Sequence, residues 1–327
     1  MKHKHLFLYI LSILTFTSFG QTLKDIEKKR VRLPNGWNLT PVGSSRPLGD
    51  LPLNIAVSAS GKYAAVTNNG RGVQSLQLFD TKTQKQLDFV TVGKAWYGLQ
   101  FSGDEKFLYA SGGNDNVVLQ YSIVNNKLRF IDSLKLGAPW PVRISPGGIA
   151  IDNKRNLLYV VTKENNSLYV IDIKAKKVSA RYDLPAEAYS CLFDPKKNLL
   201  YVSCWGCDRV MVFDTDTKKF TKEILVGDNP NEMVLSKNGR FLYVCNANDN
   251  SVSVIDLEKN AVIETLNTAL YVGAPAGSTP NGIALSADEE YLYIANADNN
   301  CLAVFNVKLP EEVQPGDLYQ LAGTLQM

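Results

Sequence analysis

Cys204-Trp-Gly-Cys207 is the one motif in this chain whose residue types and spacing point to chemistry by themselves. Two thiols at this spacing can form a redox pair or supply two ligands to a metal ion. The next residue is Asp208 rather than histidine, which excludes attachment of a c-type haem. The motif occupies a turn between two predicted strands, not the strand-to-helix setting that lowers a thiol pKa. We therefore expect a structural turn with two thiols, while a bridge to Cys191 and a redox or metal role stay open.

Residues 1–20 have the pattern of a cleaved secretory signal peptide. Two lysines make the first residues basic, and an apolar stretch follows at 6–17. Ser18-Phe19-Gly20 then places small residues at the two positions that signal peptidase recognises. The apolar stretch is too short to span a bilayer, and no later segment is apolar enough. No cysteine follows the expected cut, so the sequence predicts no lipid anchor. Gln21 would then begin an exported protein, periplasmic or extracellular.

Loss of this segment would remove both histidines, His3 and His5, from the mature chain. Zinc sites that use histidine and the Ser-His-Asp triad are then excluded. The formal charge falls from +3 to +1, because Lys2 and Lys4 are lost as well. A nearly neutral chain lacks the strongly positive surface that is typical of a nucleic-acid-binding protein. All five cysteines remain, and their odd number leaves at least one thiol unpaired.

The chain contains six copies of one sequence unit, and any functional site must be built on them. The copies at 230–257 and 280–307 are the clearest. Each copy has a short apolar run, a tight turn, a second apolar strand, an Asn/Asp turn and an alternating apolar strand. The first strands end at Ser58, Ser102, Asp152, Asp194, Ser236 and Ser286. The centres of the second strands follow seven residues later, at Ala65, Tyr109, Tyr159, Tyr201, Tyr243 and Tyr293. A constant offset across six copies indicates one repeated structural unit.

The repeat predicts an all-β fold, a β-propeller of four-stranded antiparallel blades. The third strands are predicted at 75–80, 117–122, 167–172, 210–214, 251–256 and 301–306. A weaker fourth strand follows, as at 261–266, and successive units lie 42 to 50 residues apart, the period of a blade. One blade cannot bury both faces of its sheet, so it needs neighbours. No segment longer than ten residues has the helical spacing of apolar positions that a helical solenoid requires.

Four short motifs recur inside the repeats: Leu-Tyr-Val-Val-Thr (158–162), Leu-Tyr-Val-Cys-Asn (242–246), Leu-Tyr-Ile-Ala-Asn (292–296) and Ser-Val-Ser-Val-Ile-Asp (251–256). On these motifs, about 48–307 resembles the YVTN-repeat β-propeller family, also called YncE-like or lactonase-like. Further stretches lie at 33–37, 48–52, 66–70, 74–77, 96–98 and 109–115. These resemble the propeller half of secreted bacterial proteins that fuse such a propeller to a phosphoesterase of the alkaline-phosphatase superfamily. The resemblance implies seven blades and a companion phosphoesterase domain, whose metal-binding residues this chain does not contain.

Six complete units leave the ring one blade short of the seven that the resemblance implies. Asn35-Gly36 lies between two short extended stretches and predicts a hairpin, which could close the ring as the outer half of another blade. Residues 318–324 could supply a last outer strand. The ring therefore has either six blades, or seven with the last incomplete in this chain. The predicted domains are a signal peptide at 1–20, a leader with possible closing strands at 21–47, and the propeller at 48–327.

One face of a propeller carries the loops that enter the innermost strands and those between second and third strands. In this chain those loops are rich in aromatic residues and arginine, which favours binding of a ligand or peptide. The alternative is that the aromatic side chains wedge between adjacent blades. The predicted ligand-binding residues are Trp96, Tyr97, Trp140, Arg143, Tyr189, Trp205, Arg209, Asn231, Glu232 and Asn281.

The leading hypothesis is a secreted, non-catalytic propeller that binds a ligand or protein and accompanies a phosphoesterase. We assign no catalytic residue, metal ligand or cofactor. A small lactone or ester hydrolase is the first alternative, since lactonase-like propellers place carboxylates, Asn and often a divalent ion at the channel mouth. The corresponding residues here are Asn54, Gly98, Gly148, Ser190, Glu232 and Gly282, which support Ca²⁺ only weakly. Binding of single-stranded DNA is the second alternative, and the low net charge argues against it.

Overall fold

Six four-stranded antiparallel sheets follow one another along the chain, each with its strands hydrogen-bonded in chain order. The computed structural model describes residues 45–271, 273 and 275–307, the backbone of 319–326, and residues 28, 30–32 and 38–39. The predicted all-β propeller of four-stranded blades is confirmed. The expected signal peptide at 1–20 and the Asn35-Gly36 turn lie outside the described residues.

The first strands, β1 (Val31–Arg32) and β2 (Asn38–Leu39), form a separate antiparallel pair. Blade 1 contains β3 (Pro52–Val57), β4 (Tyr63–Asn68), β5 (Ser75–Asp80) and β6 (Gln86–Thr91). Blade 2 contains β7 (Leu99–Phe101), β8 (Phe107–Ser111), β9 (Val117–Val124) and β10 (Lys127–Lys135). Blade 3 contains β11 (Pro146–Asp152), β12 (Leu157–Thr162), β13 (Ser167–Asp172) and β14 (Lys177–Asp183).

Blade 4 contains β15 (Cys191–Asp194), β16 (Leu199–Cys204), β17 (Arg209–Asp214) and β18 (Lys219–Leu225). Blade 5 contains β19 (Pro230–Leu235), β20 (Phe241–Asn246), β21 (Ser251–Asp256) and β22 (Ala261–Asn267). Blade 6 contains β23 (Pro280–Leu285), β24 (Tyr291–Asn296), β25 (Cys301–Val307) and β26 (Tyr319–Gln326). Single 3₁₀ turns lie at Gly113–Asp115 and Trp205–Cys207.

The constant offset between the first and second strands has a local cause in the turn that joins them. The hydroxyl oxygen of Ser236 accepts a hydrogen bond from the N–H of Phe241 at 2.9 Å. The same bond, five residues forward, joins Ser102 to Phe107 at 3.0 Å. In blade 3 the carboxylate of Asp152 instead accepts the N–H of Lys154 and of Arg155. Ser and Asp at a strand end can replace water as the partner of turn N–H groups, which fixes the turn length.

Loss of one such turn bond should therefore be measurable. We expect Ser236→Ala to lower the free energy of unfolding by about 1–2 kcal/mol, because the Ser236 side chain is buried and the N–H of Phe241 would lose its partner. Ser286→Ala is the matched control in blade 6, where the bond to Tyr291 lies in an exposed turn that water can reach. Urea denaturation of both variants provides the measurement. A larger loss for Ser286→Ala would contradict this explanation of the offset.

The hydrophobic core lies between blades, in five buried clusters that each join two consecutive blades. The second strand of a blade points one tyrosine at the next blade. Four of these tyrosines are no more than 2% exposed: Tyr109, Tyr159, Tyr201 and Tyr243. Apolar burial at these interfaces, which no blade can achieve alone, is what holds the ring together.

Candidate functional site

The innermost strands of neighbouring blades approach so closely that two of them need glycine. A Cβ on Gly98 would lie 2.1 Å from the carbonyl oxygen of Gly147 in the next blade. A Cβ on Gly148 would lie 2.6 Å from the Cα of Ser190. At these two positions a ligand-binding side chain has no space, so both glycines serve blade packing. The inner strands of blades 1 to 5 then enclose a channel of about 340 Å³, with Asn54 and Glu232 among its lining residues.

Glu232 places the only carboxyl group on the part of the channel wall that the structure describes. Its side chain is half-buried, and burial raises its pKa to about 8, although the N–H of Met233 favours the charged form. Cys245 is fully buried, and burial raises the pKa of its thiol, with a further contribution from the charge of Glu232. At neutral pH Glu232 is therefore mainly a carboxylic acid, able to donate an O–H hydrogen bond.

Two side-chain amides bond the backbone of the inner strands, one beside Glu232 and one across the channel. The side-chain N–H of Asn231 donates to the carbonyl oxygen of Pro280 at 3.1 Å and thereby joins the inner strands of blades 5 and 6. The side-chain amide oxygen of Asn231 accepts a hydrogen bond from the backbone N–H of Glu232 at 2.6 Å. Across the channel, the side chain of Asn54 donates to the carbonyl oxygen of Tyr97 at 2.9 Å. Asn231, which is 1% exposed, therefore positions the strand that carries Glu232.

Four predicted residues, which we call the aromatic cluster, surround one cavity of about 210 Å³: Trp96, Tyr97, Tyr189 and Trp205. The ring centroids of Tyr97 and Tyr189 are 4.6 Å apart. Tyr189 and Trp205 stack with centroids 5.6 Å apart and an interplanar angle of 21°. Offset stacking of this kind stabilises the arrangement beyond the apolar area that it buries.

Loops from two blades hold the aromatic cluster in place. Trp96 and Tyr97 precede β7, and the N–H of Trp96 donates to the carbonyl oxygen of Ser111 at 3.2 Å. Tyr189 precedes β15, and its N–H donates to the carbonyl oxygen of Ser203 at 2.9 Å. Trp205 begins the 3₁₀ turn that follows β16. These loops belong to blades 2 and 4, so the cluster spans the inner end of blade 3.

The sequence interpretation missed two charged residues at the rim of this cavity, Lys163 and Glu187. Their side chains pair at 3.4 Å, and the ammonium group of Lys163 lies 5.9 Å from the Trp96 ring centroid. Both sit in the same classes of loop as the aromatic residues, so the repeat register could have found them. The rim therefore presents both signs of charge beside an aromatic floor.

The other predicted residues lie away from the aromatic cluster. Trp140 is 59% exposed, and the guanidinium group of Arg143 lies 5.2 Å from its ring centroid. Arg209 donates to the carbonyl oxygen of Cys207 at 2.8 Å and lies 3.5 Å from the carboxylate of Glu223. Asn281 is the exception, because it lines a second cavity of about 370 Å³ that also contacts Glu232 and shares Tyr97 and Tyr189 with the aromatic cluster.

The Cys204-Trp-Gly-Cys207 motif contains two free thiols, and all five cysteines are free. Cys204 is buried, and burial together with the neighbouring Cys207 raises its pKa to about 12. Cys191, the suggested bridge partner, instead directs its thiol to the carbonyl oxygen of Tyr159 at 3.7 Å. Within the described ranges, no three His, Cys, Asp or Glu side chains converge as metal ligands. The motif forms a 3₁₀ turn after β16, and its Trp205 belongs to the aromatic cluster.

Residues 185–321 match the sequence model of a family described as "Lactonase, 7-bladed beta-propeller". The match covers less than half of the chain, and the fold itself is a β-propeller. The match begins before blade 4 and extends into β26, so it takes in Tyr189, Trp205 and Glu232. It gives independent support to the lactonase-like resemblance that the repeat motifs carry.

Antigen Lp49 from Leptospira interrogans serogroup Icterohaemorrhagiae serovar copenhageni (strain Fiocruz L1-130) is 32% identical over 121 residues. The alignment covers 35% of this chain and 26% of the antigen, so the similarity is limited to one segment of each protein. Where the structure describes the chain, no helix is long and apolar enough to cross a membrane.

Two solved structures show how general the fold is. Hydrazine synthase from Kuenenia stuttgartiensis superimposes with a TM-score of 0.69 at 18% identity, over 88% of this chain and 90% of that chain. A functionally unknown protein from Desulfotomaculum acetoxidans DSM 771 superimposes with a TM-score of 0.63 at 14% identity, over 76% of each chain. At these identities the likeness concerns the fold alone.

Proposed function

We propose that this propeller is a non-catalytic binding module of an exported protein and that it holds its ligand on the aromatic cluster. The observation that carries the proposal is the convergence of Trp96, Tyr97, Tyr189 and Trp205 on one cavity. Aromatic side chains that are stacked and already in place contribute contact area at little cost in conformational entropy. Ring contacts between Tyr97 and Tyr189 and between Tyr189 and Trp205 hold these side chains in place without a ligand.

The chemistry of the cavity defines the class of ligand. The aromatic floor suits a flat apolar group, and the Lys163–Glu187 pair at the rim suits polar edges of either sign. Two groups meet this description, an aromatic side chain of a peptide and the apolar face of a sugar ring. The role as companion to a phosphoesterase belongs to the same proposal and is supported by the resemblance of the N-terminal stretches.

Two small probes distinguish the ligand sources, N-acetyl-tryptophanamide for a peptide and methyl glucoside for a sugar. We expect one of them to show saturation transfer by NMR and Trp205→Ala to weaken its binding at least tenfold, because the stacked ring is lost. Trp140→Ala is the matched control, since Trp140 is exposed and lies outside the cavity. Circular dichroism would verify that both variants fold. Equal binding by both variants would place the site elsewhere.

Hydrolysis of a lactone or ester is the second candidate, favoured by the raised pKa of Glu232 and by the family match. A carboxyl group with a pKa of about 8 could act as a general acid at neutral pH. Ca²⁺ prefers six to eight oxygen ligands, often from carboxylates. The described channel wall offers one carboxyl group, that of Glu232, and burial keeps it mainly neutral. The channel therefore does not fit Ca²⁺. A small δ-lactone assayed with and without Ca²⁺ provides the measurement. Turnover that survives Glu232→Gln would remove Glu232 as the acid.

A further inference from the structure

A cavity of about 580 Å³ lies between blades 2 and 3 and shares no lining residue with the aromatic cluster. It lies among the turns that join first to second strands and third to fourth strands. The loops of the aromatic cluster are at the opposite ends of the strands, so the cavity is on the other face of the ring. Its volume is within the range of sites that hold a small molecule.

The next boundary, between blades 3 and 4, shows how the repeat closes this place. In the turn between β11 and β12, the guanidinium group of Arg155 donates to the hydroxyl oxygen of Thr215 at 2.8 Å and pairs with the carboxylate of Asp216. Both partners lie in the turn between β17 and β18. Thr215 also provides a hydrogen bond to the buried hydroxyl group of Tyr159. One arginine and one threonine thus fill the space between the two turns.

The boundary between blades 2 and 3 has a different residue at the arginine position. Glu105 occupies the repeat position of Arg155, three residues after Ser102. Its carboxylate is directed to blade 1, where it accepts a hydrogen bond from the hydroxyl group of Ser60 at 2.8 Å. Glu105 therefore bridges to blade 1 and leaves the boundary with blade 3 open.

Two further positions differ at this boundary. Lys174 occupies the repeat position of Asp216. In the part of the chain that the structure describes, no carboxylate lies within ion-pair distance of the Lys174 ammonium group. Ile173 occupies the repeat position of Thr215 and has no hydroxyl group. The cavity is the space that these three differences leave.

The buried wall of the cavity carries a hydrogen-bond donor without an acceptor. Tyr109 and Gln120 line this wall and are 2% and 6% exposed. The side-chain N–H of Gln120 donates to the hydroxyl oxygen of Tyr109 at 3.2 Å. The O–H of Tyr109 itself has no acceptor among the described residues, whereas Tyr159 has Thr215 at the next boundary. A buried donor left unpaired costs free energy, which an oxygen atom of a ligand would recover.

The charges at the rim favour an anionic group. The ammonium group of Lys176 pairs with the carboxylate of Asp132 at 2.7 Å. On the blade 2 side, the carboxylate of Asp104 pairs with Lys106 of its own turn at 3.4 Å. These two pairs leave Lys174, exposed at the edge of the cavity, as the cation without a counterion.

We propose that the cavity between blades 2 and 3 binds a small carboxylate that has an apolar body and a hydroxyl group at its far end. The ligand carboxylate pairs with Lys174 at the rim, and the hydroxyl oxygen accepts the O–H of Tyr109. The body of the ligand contacts the apolar side chains that line the cavity between these two residues: Phe107, Ile131, Ile151 and Ile173. The proposal is independent of the function assigned to the aromatic cluster.

Isothermal titration calorimetry of the full chain with trans-4-hydroxycyclohexanecarboxylate tests the charged end of this site. We expect saturable binding that Lys174→Gln weakens about fivefold, because the ion pair at the rim is lost. Lys154→Gln is the matched control, since Lys154 is exposed on the same face and does not line the cavity. The neutral carboxamide of the probe should bind the parent chain and Lys174→Gln equally.

A second variant tests the buried end of the site. We expect Tyr109→Phe to weaken binding of the hydroxylated probe about fivefold, because the O–H donor is lost. Cyclohexanecarboxylate, which lacks the hydroxyl group, should bind the parent chain and Tyr109→Phe equally. Circular dichroism of each variant would show that the propeller has folded.

Three results would overturn the proposal. The first is a parent chain that shows no saturable binding of the hydroxylated probe. The second is an equal loss for Lys174→Gln and Lys154→Gln, which would mean that the probe responds only to the general charge of this face. The third is a loss of binding in Trp205→Ala, which would place the probe in the aromatic cluster. Binding that Trp205→Ala leaves unchanged supports a separate site, whatever the aromatic cluster binds.

Discussion

Gly148→Ala is expected to lower the free energy of unfolding by about 3 kcal/mol, which is the upper end of the usual range for overpacking a well-packed interface. The new Cβ would lie 2.6 Å from the Cα of Ser190 and 2.9 Å from the backbone N of Cys191. Both atoms belong to the backbone of blade 4, so no side-chain rotation can relieve the clash. Blades 3 and 4 would have to separate, and the buried cluster between them would lose packing. Urea denaturation at neutral pH provides the measurement.

Gly282→Ala is the control for this prediction, because it adds the same methyl group at the same repeat position. Its Cβ would make only an ordinary contact of 3.5 Å with Ala295. We expect its free energy of unfolding to stay within about 0.5 kcal/mol of that of the parent chain. Equal losses for the two glycines would mean that blade packing does not explain Gly148. A large loss for Gly282→Ala alone would contradict the ordinary contact with Ala295 on which the control depends.

Glu232→Gln is expected to remove a pH-dependent loss of stability. The pKa of Glu232 is about 8 in the folded chain against an ordinary 4.5, so the native state holds a proton that the unfolded state releases. Stability therefore falls as the pH rises from about 4.5 to about 8, and the loss is constant above that window. Over this range the loss amounts to roughly 3–5 kcal/mol. Glutamine resembles the protonated carboxyl group and does not titrate.

The measurement compares unfolding free energies at pH 5 and pH 9 for the parent chain and the variant. Groups that titrate in both chains cancel in the difference, so the variant should gain about 3 kcal/mol relative to the parent between these pH values. Glu290→Gln is the control, because Glu290 is exposed in a turn. A parent and a Glu232→Gln variant with parallel pH profiles would show that the carboxyl group is solvated rather than buried.

The number, order and internal spacing of the six units could be predicted from the sequence, because their causes are local. A Ser at the strand end bonds the N–H five residues on, as Ser236 does with Phe241. Asp152 bonds the N–H groups two and three residues on, within a turn of the same length. Alternation of apolar residues determines which face of each strand is buried. The strand bounds therefore agree closely with the predicted ones, and the outer strand expected at 318–324 is β26 (Tyr319–Gln326).

The candidate site was predicted less completely, because its residues come from different blades. Trp96, Tyr97, Tyr189 and Trp205 converge on one cavity, whereas Trp140, in the same class of loop, pairs with Arg143 outside it. Loop class alone could not separate these tryptophans, since the path of each loop depends on contacts with the neighbouring blade. Lys163 and Glu187 went unrecognised for the same reason.

The sequence by itself determined the repeat, the all-β class and the blade period, since each follows from turns and alternation within about fifty residues. Only the tertiary structure decided what the aligned channel positions do. Gly98 and Gly148 pack against the backbone of the next blade, whereas Gly282 has room for a Cβ. Burial makes Glu232 mainly a neutral acid. The physical reason is that steric exclusion and desolvation act between residues that are distant in the chain, and only the assembled blades bring those residues together.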